Sequence, residues 1–549
     1  MKIARSERIK KLILDLVRIQ SDTGTRLEKD VENYMHGWLA EHEYFRHNPN
    51  HFGQHPLPED PVERSVVWGL VKGQGDQTVI LMHHHDVVDA FDYGGLEKWA
   101  YDPLKLESAL NAVALSPEVR RDLASGQWLF GRGTGDMKGG AAIQFALLEE
   151  YAERPDFKGN ILLLSVPDEE SLSVGMRGSL RLLIDLKNRF KLSYKMLINS
   201  EPHAKEQDKI GTFHVGSAGK ILPLIYVRGK TTHIGHIFQG FNPVLLLSEI
   251  VLQTELNIDF ADQMRGEVPP PPSWSYLRDR KEVYDASIPP SAGGYLSLIH
   301  LKRSPIELIK MLQSTCETAF ERVIEKIQQS HAAYHRKKNM PAAAPSWTTN
   351  VKTFSELYQQ ALEDSGPAFR EAYEPFLTSI VTGIEQQRLN MPEATFQLIE
   401  MTLDHVKNLS PMVVIALCPP YYPPIHNDDF QSLPASVQDL TDHLIRFADN
   451  QWQEAYRRAN YIMGLTDLSY AALQNGENII PYLGPNMPLW QKTYDIPFAE
   501  MQELSLPVIN IGPWGKDHHK FTERVHKLDL CERTPALLEC AVNYLLGND

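Results

Sequence analysis

The stretch NILLLSVPDEE, residues 160–170, decides the fold that the sequence predicts. Its first part, NILLLSV, is almost continuously apolar, which is typical of a parallel strand buried on both faces. Asp168, Glu169 and Glu170 follow directly, where such a strand would end. Ligands of open α/β sheets bind beyond the carboxyl ends of the strands, so these acids predict a site at that edge.

Outward from this stretch, helix and strand patterns alternate through the first half of the chain. This order predicts an α/β fold with a mixed, mostly parallel sheet flanked by helices. The predicted helices cover residues 5–20, 25–42, 140–154 and 176–187, and the predicted strands cover 65–71, 78–82, 160–166 and 194–198.

The pattern changes after about residue 215. Strand-like runs at 221–227 and 294–301 alternate with a helix that Asn242 and Pro243 open and with a long helix from Pro305. We therefore expect an inserted α+β unit of the β-α-β-β-α-β type. The expected division is a first domain made of 1–215 and 355–549, with strands 412–417 and 508–511, and an inserted domain made of 216–354.

Composition narrows the class of protein. The 549 residues include 55 Lys and Arg against 70 Asp and Glu, a formal net charge of −15. Such an acidic chain is a poor partner for nucleic acid or for an anionic membrane surface. Four cysteines without CxxC spacing favour a reducing, cytoplasmic location. We expect the N-terminal segment to be an amphipathic helix and no stretch to span a membrane.

Metal-ligating residue types follow several of the predicted strands. His84 and Asp86 come after strand 78–82, Glu201 comes after strand 194–198, and His519 comes soon after strand 508–511. Asp136 lies in the glycine-rich turn before a helix. Imidazole and carboxylate groups are the ligands that zinc, cobalt and manganese take, so their repetition at strand ends predicts a metal site.

Spacing assigns roles within this set. In extended chain His84 and Asp86 face the same side, so His84 can hold a metal while Asp86 orients its ring. Glu169 and Glu170 point differently, so that one can bind metal while the other acts as a general base. Each signal alone has a simpler structural explanation. Residues 83–85 could be a surface histidine cluster, Glu169 and Glu170 could lie at a helix N-terminus, and Asp136 could cap a helix. Glu201 could be an ordinary loop acid, and His519 with Glu523 could be a solvated pair. Taken together, Asp136, Glu170, Glu201 and a hydroxide would balance two divalent cations.

The whole series resembles a known family. The motifs HHHDVV (83–88), GRGTGDMKGG (131–140), DEE (168–170), SEP (200–202) and HKFTE (519–523) occur in this order. They are similar to those of the two-metal peptidases and deacylases, among them aminoacylase, acetylornithine deacetylase and succinyl-diaminopimelate desuccinylase. The long chain resembles the branch of this family that serves arginine utilisation.

The resemblance implies a zinc-exopeptidase-like catalytic domain and a role for each residue. His84 and Glu201 would serve opposite metals, Asp136 would bridge both, and Glu170 and His519 would complete the two sites. Glu169 would be the general base that takes a proton from the bridging water, and Asp86 would steer His84. The segment 216–354 would be the family's lid, which often forms a dimer interface.

Three residues of the expected lid are further candidates. His233 would stabilise the oxyanion, with an ordinary lid histidine as the alternative and His236 as a competitor. Asn242 belongs to a segment, Gly240-Phe241-Asn242, that resembles the family's GxN motif, and we expect it to bind substrate. Arg303, at the end of a predicted strand, is expected to meet a substrate carboxylate.

These implications predict a metal-dependent hydrolase that cleaves the amide bond of a peptide or an N-acyl amino acid, in amino-acid and specifically arginine catabolism. The cofactors would be two divalent ions, zinc first, with cobalt or manganese as alternatives. The partners would be a small amino-acid-derived or dipeptide substrate and a second copy of the chain. The alternative function is a catalytically idle homologue that binds metal in a regulatory role.

Overall fold

The computed structural model describes residues 4–154, 156–340, 343–474 and 476–548. The chain forms two compact units. Unit 1 consists of Met1–Ser217, Ile425–Gln474 and Pro497–Asp549, and unit 2 consists of Ala218–Pro424 and Asn475–Ile496.

The α-helices of the described residues, numbered along the chain, are α1 (Arg5–Arg18), α2 (Glu28–Glu41), α3 (Glu43–His47), α4 (Pro103–Leu110), α5 (Pro117–Ser125), α6 (Lys138–Ala152), α7 (Val174–Phe190), α8 (Pro243–Thr254), α9 (Pro305–Lys338), α10 (Phe354–Ser365), α11 (Pro367–Glu385), α12 (Met391–Leu403), α13 (Ala435–Gln438), α14 (Leu440–Trp452), α15 (Ile480–Asn486), α16 (Phe498–Leu504) and α17 (Thr534–Leu546). The strands are β1 (Phe52–Pro56), β2 (Ser65–Lys72), β3 (Gln74–His84), β4 (Trp128–Phe130), β5 (Lys158–Val166), β6 (Ser193–Asn199), β7 (Gly211–His214), β8 (Gly216–Ser217), β9 (Gly219–Arg228), β10 (Ser273–Asp279), β11 (Ser291–His300), β12 (Val351–Thr353), β13 (Met412–Tyr422), β14 (Ile425–His426), β15 (Tyr456–Ala459), β16 (Val508–Asn510), β17 (Gly515–Lys516) and β18 (Arg524–His526).

Unit 1 is built on a mixed sheet with the strand order β1-β2-β5-β3-β6-β16-β7-β15. Its central strands β5, β3, β6 and β16 run parallel. Val79 and Leu81 of β3 are fully buried in a core shared with α1, α6 and α17. Ile80 and Met82 alternate with them and are equally buried, on the face where α7 packs against β2 and β5. The predicted fold class, a mostly parallel sheet flanked by helices, is confirmed.

The register of this sheet brings the strand ends together. His84 pairs with Val166 at the end of β5, and Asn199 at the end of β6 pairs with both Met82 and Asn510. Because parallel strands end at one edge, the residues that follow β3, β5, β6 and β16 meet there.

Unit 2 has its own sheet, with the strand order β10-β11-β9-β13-β12. The order β9-α8-β10-β11-α9-β12 along the chain agrees with the predicted β-α-β-β-α-β arrangement. Helices α8 and α9 pack on this sheet, and α10 to α12 form a second core with Leu224 and Tyr226 of β9. As predicted, Asn242 caps α8, because its Oδ1 accepts a hydrogen bond from the N–H of Val244 at 3.0 Å.

The boundaries of the two units differ from the expected ones. Residues 355–424 and 475–496, expected in the first domain, belong to unit 2, and Gly216 and Ser217, expected in the inserted domain, belong to unit 1. For residues 355–424 the reason is strand pairing: β13 lies between β9 and β12 and forms a long antiparallel ladder with β9. The apolar sequence of a buried strand does not indicate which of two sheets the strand joins.

Among the described residues, no helix is both long and apolar enough to cross a membrane.

The position of α12 in unit 2 predicts a local effect of truncation. Leu398 is fully buried in the core that α10 to α12 share with β9 and β13. Leu398→Ala should cost about 2–5 kcal/mol, as for other large-to-small core changes. Hydrogen exchange should quicken in β9 and β13 but not in β3 and β5.

Thr378→Ala, on the exposed side of α11, is the control and should leave exchange in all four strands unchanged. Faster exchange of β3 and β5 in Leu398→Ala would contradict the assignment of α12 to unit 2.

Candidate metal centre

His84, at the end of β3, faces three carboxylates that come from other segments of unit 1. Its Nε2 lies 3.1 Å from Oδ1 of Asp136, 3.3 Å from Oε1 of Glu201 and 3.9 Å from Oε2 of Glu169. Asp136 follows the glycine-rich turn before α6, Glu169 follows β5 and Glu201 follows β6. Side chains that are far apart in sequence thus meet at the predicted edge of the sheet.

His519 forms a second half of the same cluster. Its Nε2 lies 3.1 Å from Oε1 of Glu170 and 3.3 Å from Oδ2 of Asp136. The two oxygens of Asp136 therefore face two different histidines. His84 and Glu201 lie on one side of Asp136, which differs from the expectation that they serve opposite metals.

Two groups of ligand atoms are compact enough to hold a metal ion, with all atoms of a group within 4.8 Å of one another. One group is His84, Glu169 and Glu201, and the other is His84, Asp136 and Glu170. Glu169, expected to be the base, is thus also close enough to be a ligand.

Asp86 organises both the histidine and the two glutamates. Nδ1 of His84 lies 3.0 Å from the carbonyl oxygen of Asp86 and 3.5 Å from its Oδ1, so that Nε2 is directed at the carboxylates. The Asp86 carboxylate also accepts hydrogen bonds from the backbone N–H groups of Glu169, at 3.1 Å, and Glu170, at 3.2 Å. This second function of Asp86 was not predicted.

A buried ion network holds the turn that carries the two glutamates. Asp168 has a positive φ of 68°. Its N–H donates to Oε2 of Glu28 at 2.9 Å, and its carboxylate pairs with Nη1 of Arg64 at 2.5 Å. Arg64 also pairs with Glu28 and Asp60, and its side chain is only 7% exposed. Removing Arg64 would leave three carboxylates without this cation.

The histidines on either side of His84 belong to the core. His83 is hydrogen-bonded to Gln144 through Nδ1 at 2.8 Å, and His85 is hydrogen-bonded to Ser165 at 2.9 Å. Both are fully buried. The triplet is therefore not a surface histidine cluster.

Two glycines allow the backbone to approach the end of β6. A Cβ at Gly140 would lie 2.3 Å from the carbonyl oxygen of Ser200, and one at Gly512 would lie 1.9 Å from that of Glu201. No side chain fits at either position, because real Cβ contacts are longer than 3 Å. These glycines let α6 and the segment after β16 close on the strand that presents Glu201.

The electrostatics of the site is dominated by crowded carboxylates. Burial, followed by the charge of Asp136, raises the pKa of Glu201 to about 8. Burial also raises the pKa of Glu169 well above its usual range. Hydrogen bonds to Asp136 and Glu170 raise the pKa of the His519 imidazole to about 10. Burial and the charges of neighbouring groups are the causes of these shifts.

The donor set suits divalent cations. It consists of imidazole nitrogens and carboxylate oxygens, the groups that zinc, cobalt and manganese bind. One oxygen of Asp136 faces His84 and the other faces His519. Cations would also relieve the repulsion among the acids.

Two acidic or basic groups near this cluster were not predicted as functional. Nδ1 of His518 lies 3.8 Å from Oδ2 of Asp136, and its place next to His519 in the sequence is the signal that could have pointed to it. Asp467, on the short helix Asp467–Tyr470, is 1% exposed, and burial raises its pKa to about 7. A single acid in the segment LTDLSY gave no sequence signal.

The remaining predicted residues lie in unit 2. His233 is exposed, and its Nδ1 accepts a hydrogen bond from the N–H of Gly235 at 3.1 Å. Asn242 is the cap of α8, and Nη1 of Arg303 donates to the carbonyl oxygen of Asp259 at 2.7 Å.

Comparison with known proteins agrees with this site. The sequence of residues 80–492 matches the peptidase family M20/M25/M40. The chain is 34% identical to the uncharacterized protein YqjN of Bacillus subtilis, over 97% of this chain and 96% of YqjN. It is 30% identical to the protein RocB of Bacillus subtilis, over 98% of this chain and 95% of RocB.

A solved structure shares the fold. The di-peptidase Dug1p of Saccharomyces cerevisiae matches with a TM-score of 0.53 at 12% identity, over 99% of this chain and 98% of that one. The family match and the full-length relatives support a metal-dependent hydrolase. The chain therefore belongs to the peptidase family M20/M25/M40.

Proposed function

We propose that this protein hydrolyses the amide bond of a dipeptide or an N-acyl amino acid, using two divalent metal ions and Glu169 as the general base. The observation that carries the proposal is the placement of Asp136, whose Oδ1 faces His84 and whose Oδ2 faces His519. A single carboxylate between two histidines is what a site for two cations requires.

The distances among the side chains support a ligand assignment. His84 and Glu201 would hold one cation and His519 and Glu170 the other, with Asp136 shared between them. When bound, such cations polarise a carbonyl group and lower the pKa of water. We propose zinc, with cobalt and manganese as alternatives, because the donor set suits all three.

Glu169 is the candidate base because the other acids of the cluster have a partner in the ligand assignment. Its carboxylate is 7% exposed, and its backbone is fixed by Asp86. In the proposed reaction Glu169 takes a proton from the attacking water as the oxygen adds to the carbonyl carbon. It then gives that proton to the amine nitrogen as the C–N bond breaks.

In unit 2, we propose that His233 donates a hydrogen bond to the oxyanion of the substrate. Because Nδ1 of His233 accepts a hydrogen bond from Gly235, the neutral ring carries its proton on Nε2, which is the donor that an oxyanion needs. His236 is the alternative.

Asn242 and Arg303 remain proposed substrate contacts. The Oδ1 of Asn242 already caps α8, so its amide nitrogen would be the group offered to substrate. Arg303 would offer the guanidinium donors other than the one that binds Asp259.

The biological setting is also a proposal. The resemblance of the long chain to the arginine-utilisation branch of the family supports a role in arginine catabolism. Four free cysteines support a cytoplasmic location. The edge strand β10 of unit 2, with Leu277 48% exposed, and the exposed Leu252 and Leu256 support a homodimer.

The alternative of a catalytically idle metal-binding homologue is not supported. An idle protein would be expected to lack a ligand or the base, whereas the five candidate ligands and Glu169 lie together.

Metal binding should stabilise the protein. Adding Zn²⁺ to chelator-treated protein at 100 times its dissociation constant should raise the free energy of unfolding by about 2.7 kcal/mol for each site that it fills. Asp136→Asn should abolish most of this gain in a thermal unfolding assay, since it removes the shared donor. Asp442→Asn, an exposed acid on α14, is the control and should keep the full gain. An equal gain in wild type and Asp136→Asn would place the metal elsewhere.

Removal of the proposed base should lower the turnover rate without lowering the metal content of the protein. Glu169→Gln and Glu169→Ala should lower kcat by at least ~10²-fold on a panel of dipeptides and N-acyl amino acids. Metal content, measured by elemental analysis, should stay at the wild-type level. The surface variant Glu153→Gln should keep full turnover, and an unchanged kcat in Glu169→Ala would refute the mechanism.

Alanine variants should distinguish whether His233 or His236 is the oxyanion donor. His233→Ala should lower kcat by about 10²-fold with little change in KM, as for other single oxyanion donors. His236→Ala should keep wild-type kinetics. The reverse result would assign the role to His236. A wild-type kcat in both variants would show that neither His233 nor His236 takes part in the reaction.

A further inference from the structure

Glu523 lies at the end of the loop that carries His519, between β17 and β18, and its carboxylate is directed away from the solvent. The residue is 1% exposed. Its Oε1 accepts hydrogen bonds from the backbone N–H groups of Gly135, at 3.1 Å, and Asp136, at 3.2 Å. The turn that carries the proposed shared ligand Asp136 is therefore connected, through Glu523, to the loop that carries His519.

Arg132 fixes the other oxygen of this carboxylate. Its Nη1 donates to Oε2 of Glu523 at 2.8 Å, its Nη2 pairs with Asp92 at 2.6 Å, and its Nε donates to the carbonyl oxygen of Asp89 at 3.0 Å. Arg132 is also 1% exposed. With the guanidinium held on three sides, the Glu523 carboxylate has one orientation, in which Oε1 faces the turn.

The two halves of the metal centre are supported differently. His84 is the last residue of β3 and Glu201 follows β6, and these two strands are neighbours in the main sheet. His519 lies on a loop, has a positive φ of 62° and a side chain that is 50% exposed. The His519 half therefore depends more on local contacts such as that of Glu523.

We propose that Glu523, held by Arg132, is a positioning residue that sets the place of His519 relative to Asp136 and so controls the affinity of one of the two metal sites. This inference rests on the proposed function. Groups that orient metal ligands typically account for 10–100-fold in metal affinity. Glu523 contacts neither His84 nor Glu201 among the described contacts, and it holds the turn of Asp136 against the loop of His519. Because Asp136 serves both sites whereas His519 serves one, the loss of Glu523 should weaken the site that includes His519 more than the other.

The test is a titration of metal-free protein with Co²⁺, followed by calorimetry and by visible absorption. Wild type should bind two equivalents. Glu523→Ala should weaken one equivalent by about 10-fold or more and the other by clearly less. Glu523→Gln should show a smaller loss, because its amide oxygen can still accept from the two backbone N–H groups while its charge against Arg132 is gone.

Arg280→Met controls for the loss of a buried ion pair. Arg280 of unit 2 binds Glu393 and Glu400 and its side chain is 8% exposed, so its replacement should lower thermal stability without changing either Co²⁺ affinity. If Glu523→Ala does not fold, Glu523→Gln and Arg132→Met decide the question, since each weakens the same contact.

The outcomes separate the inference from the proposed function. Failure of wild type to bind two equivalents would overturn the proposed function. Two wild-type equivalents that keep their affinities in the Glu523 variants, or that weaken alike, would overturn the inference and leave the two-metal site standing.

Discussion

Repulsion among buried carboxylates is the constraint on which the rest of unit 1 depends. Asp136, Glu169, Glu170 and Glu201 converge within a few ångströms at the edge of the sheet, and burial raises the pKa of Glu169 and Glu201. Such a cluster is costly without cations, because each acid disfavours the ionised form of the next. The fold must therefore hold the acids in place, and bound divalent ions would offset the free-energy cost of burying their charges.

The support comes from hydrogen bonds and ion pairs that join distant segments. Asp86 holds the backbone of Glu169 and Glu170, and Arg64 with Glu28 holds the turn just before them. Gly140 and Gly512 allow close packing at the end of β6. The proposed ligands thus lie on a preorganised frame, which is what the proposed hydrolysis with a positioned base requires.

Much of this was predictable from local patterns. The apolar run before Asp168 and the acids and histidines after β3, β5, β6 and β16 pointed to a mostly parallel sheet with a site at its edge. The role of Arg64 was not predictable, because it lies 104 residues from Asp168 and only tertiary structure brings them together. Strand β13 was assigned to the other unit for the same reason: its sequence shows burial but not its partner strand. Glu523 was noticed as part of HKFTE, yet its contact with the turn of Asp136 depends on a pairing across 387 residues.

In the proposed function, Asp136 is shared by two metal ions. The most direct measurement is anomalous X-ray scattering, above and below the zinc edge, from crystals grown with zinc. We expect two anomalous peaks, one beside His84 and Glu201 and one beside His519 and Glu170, with Asp136 between them. A single peak, or peaks at ligands that do not include Asp136, would contradict it.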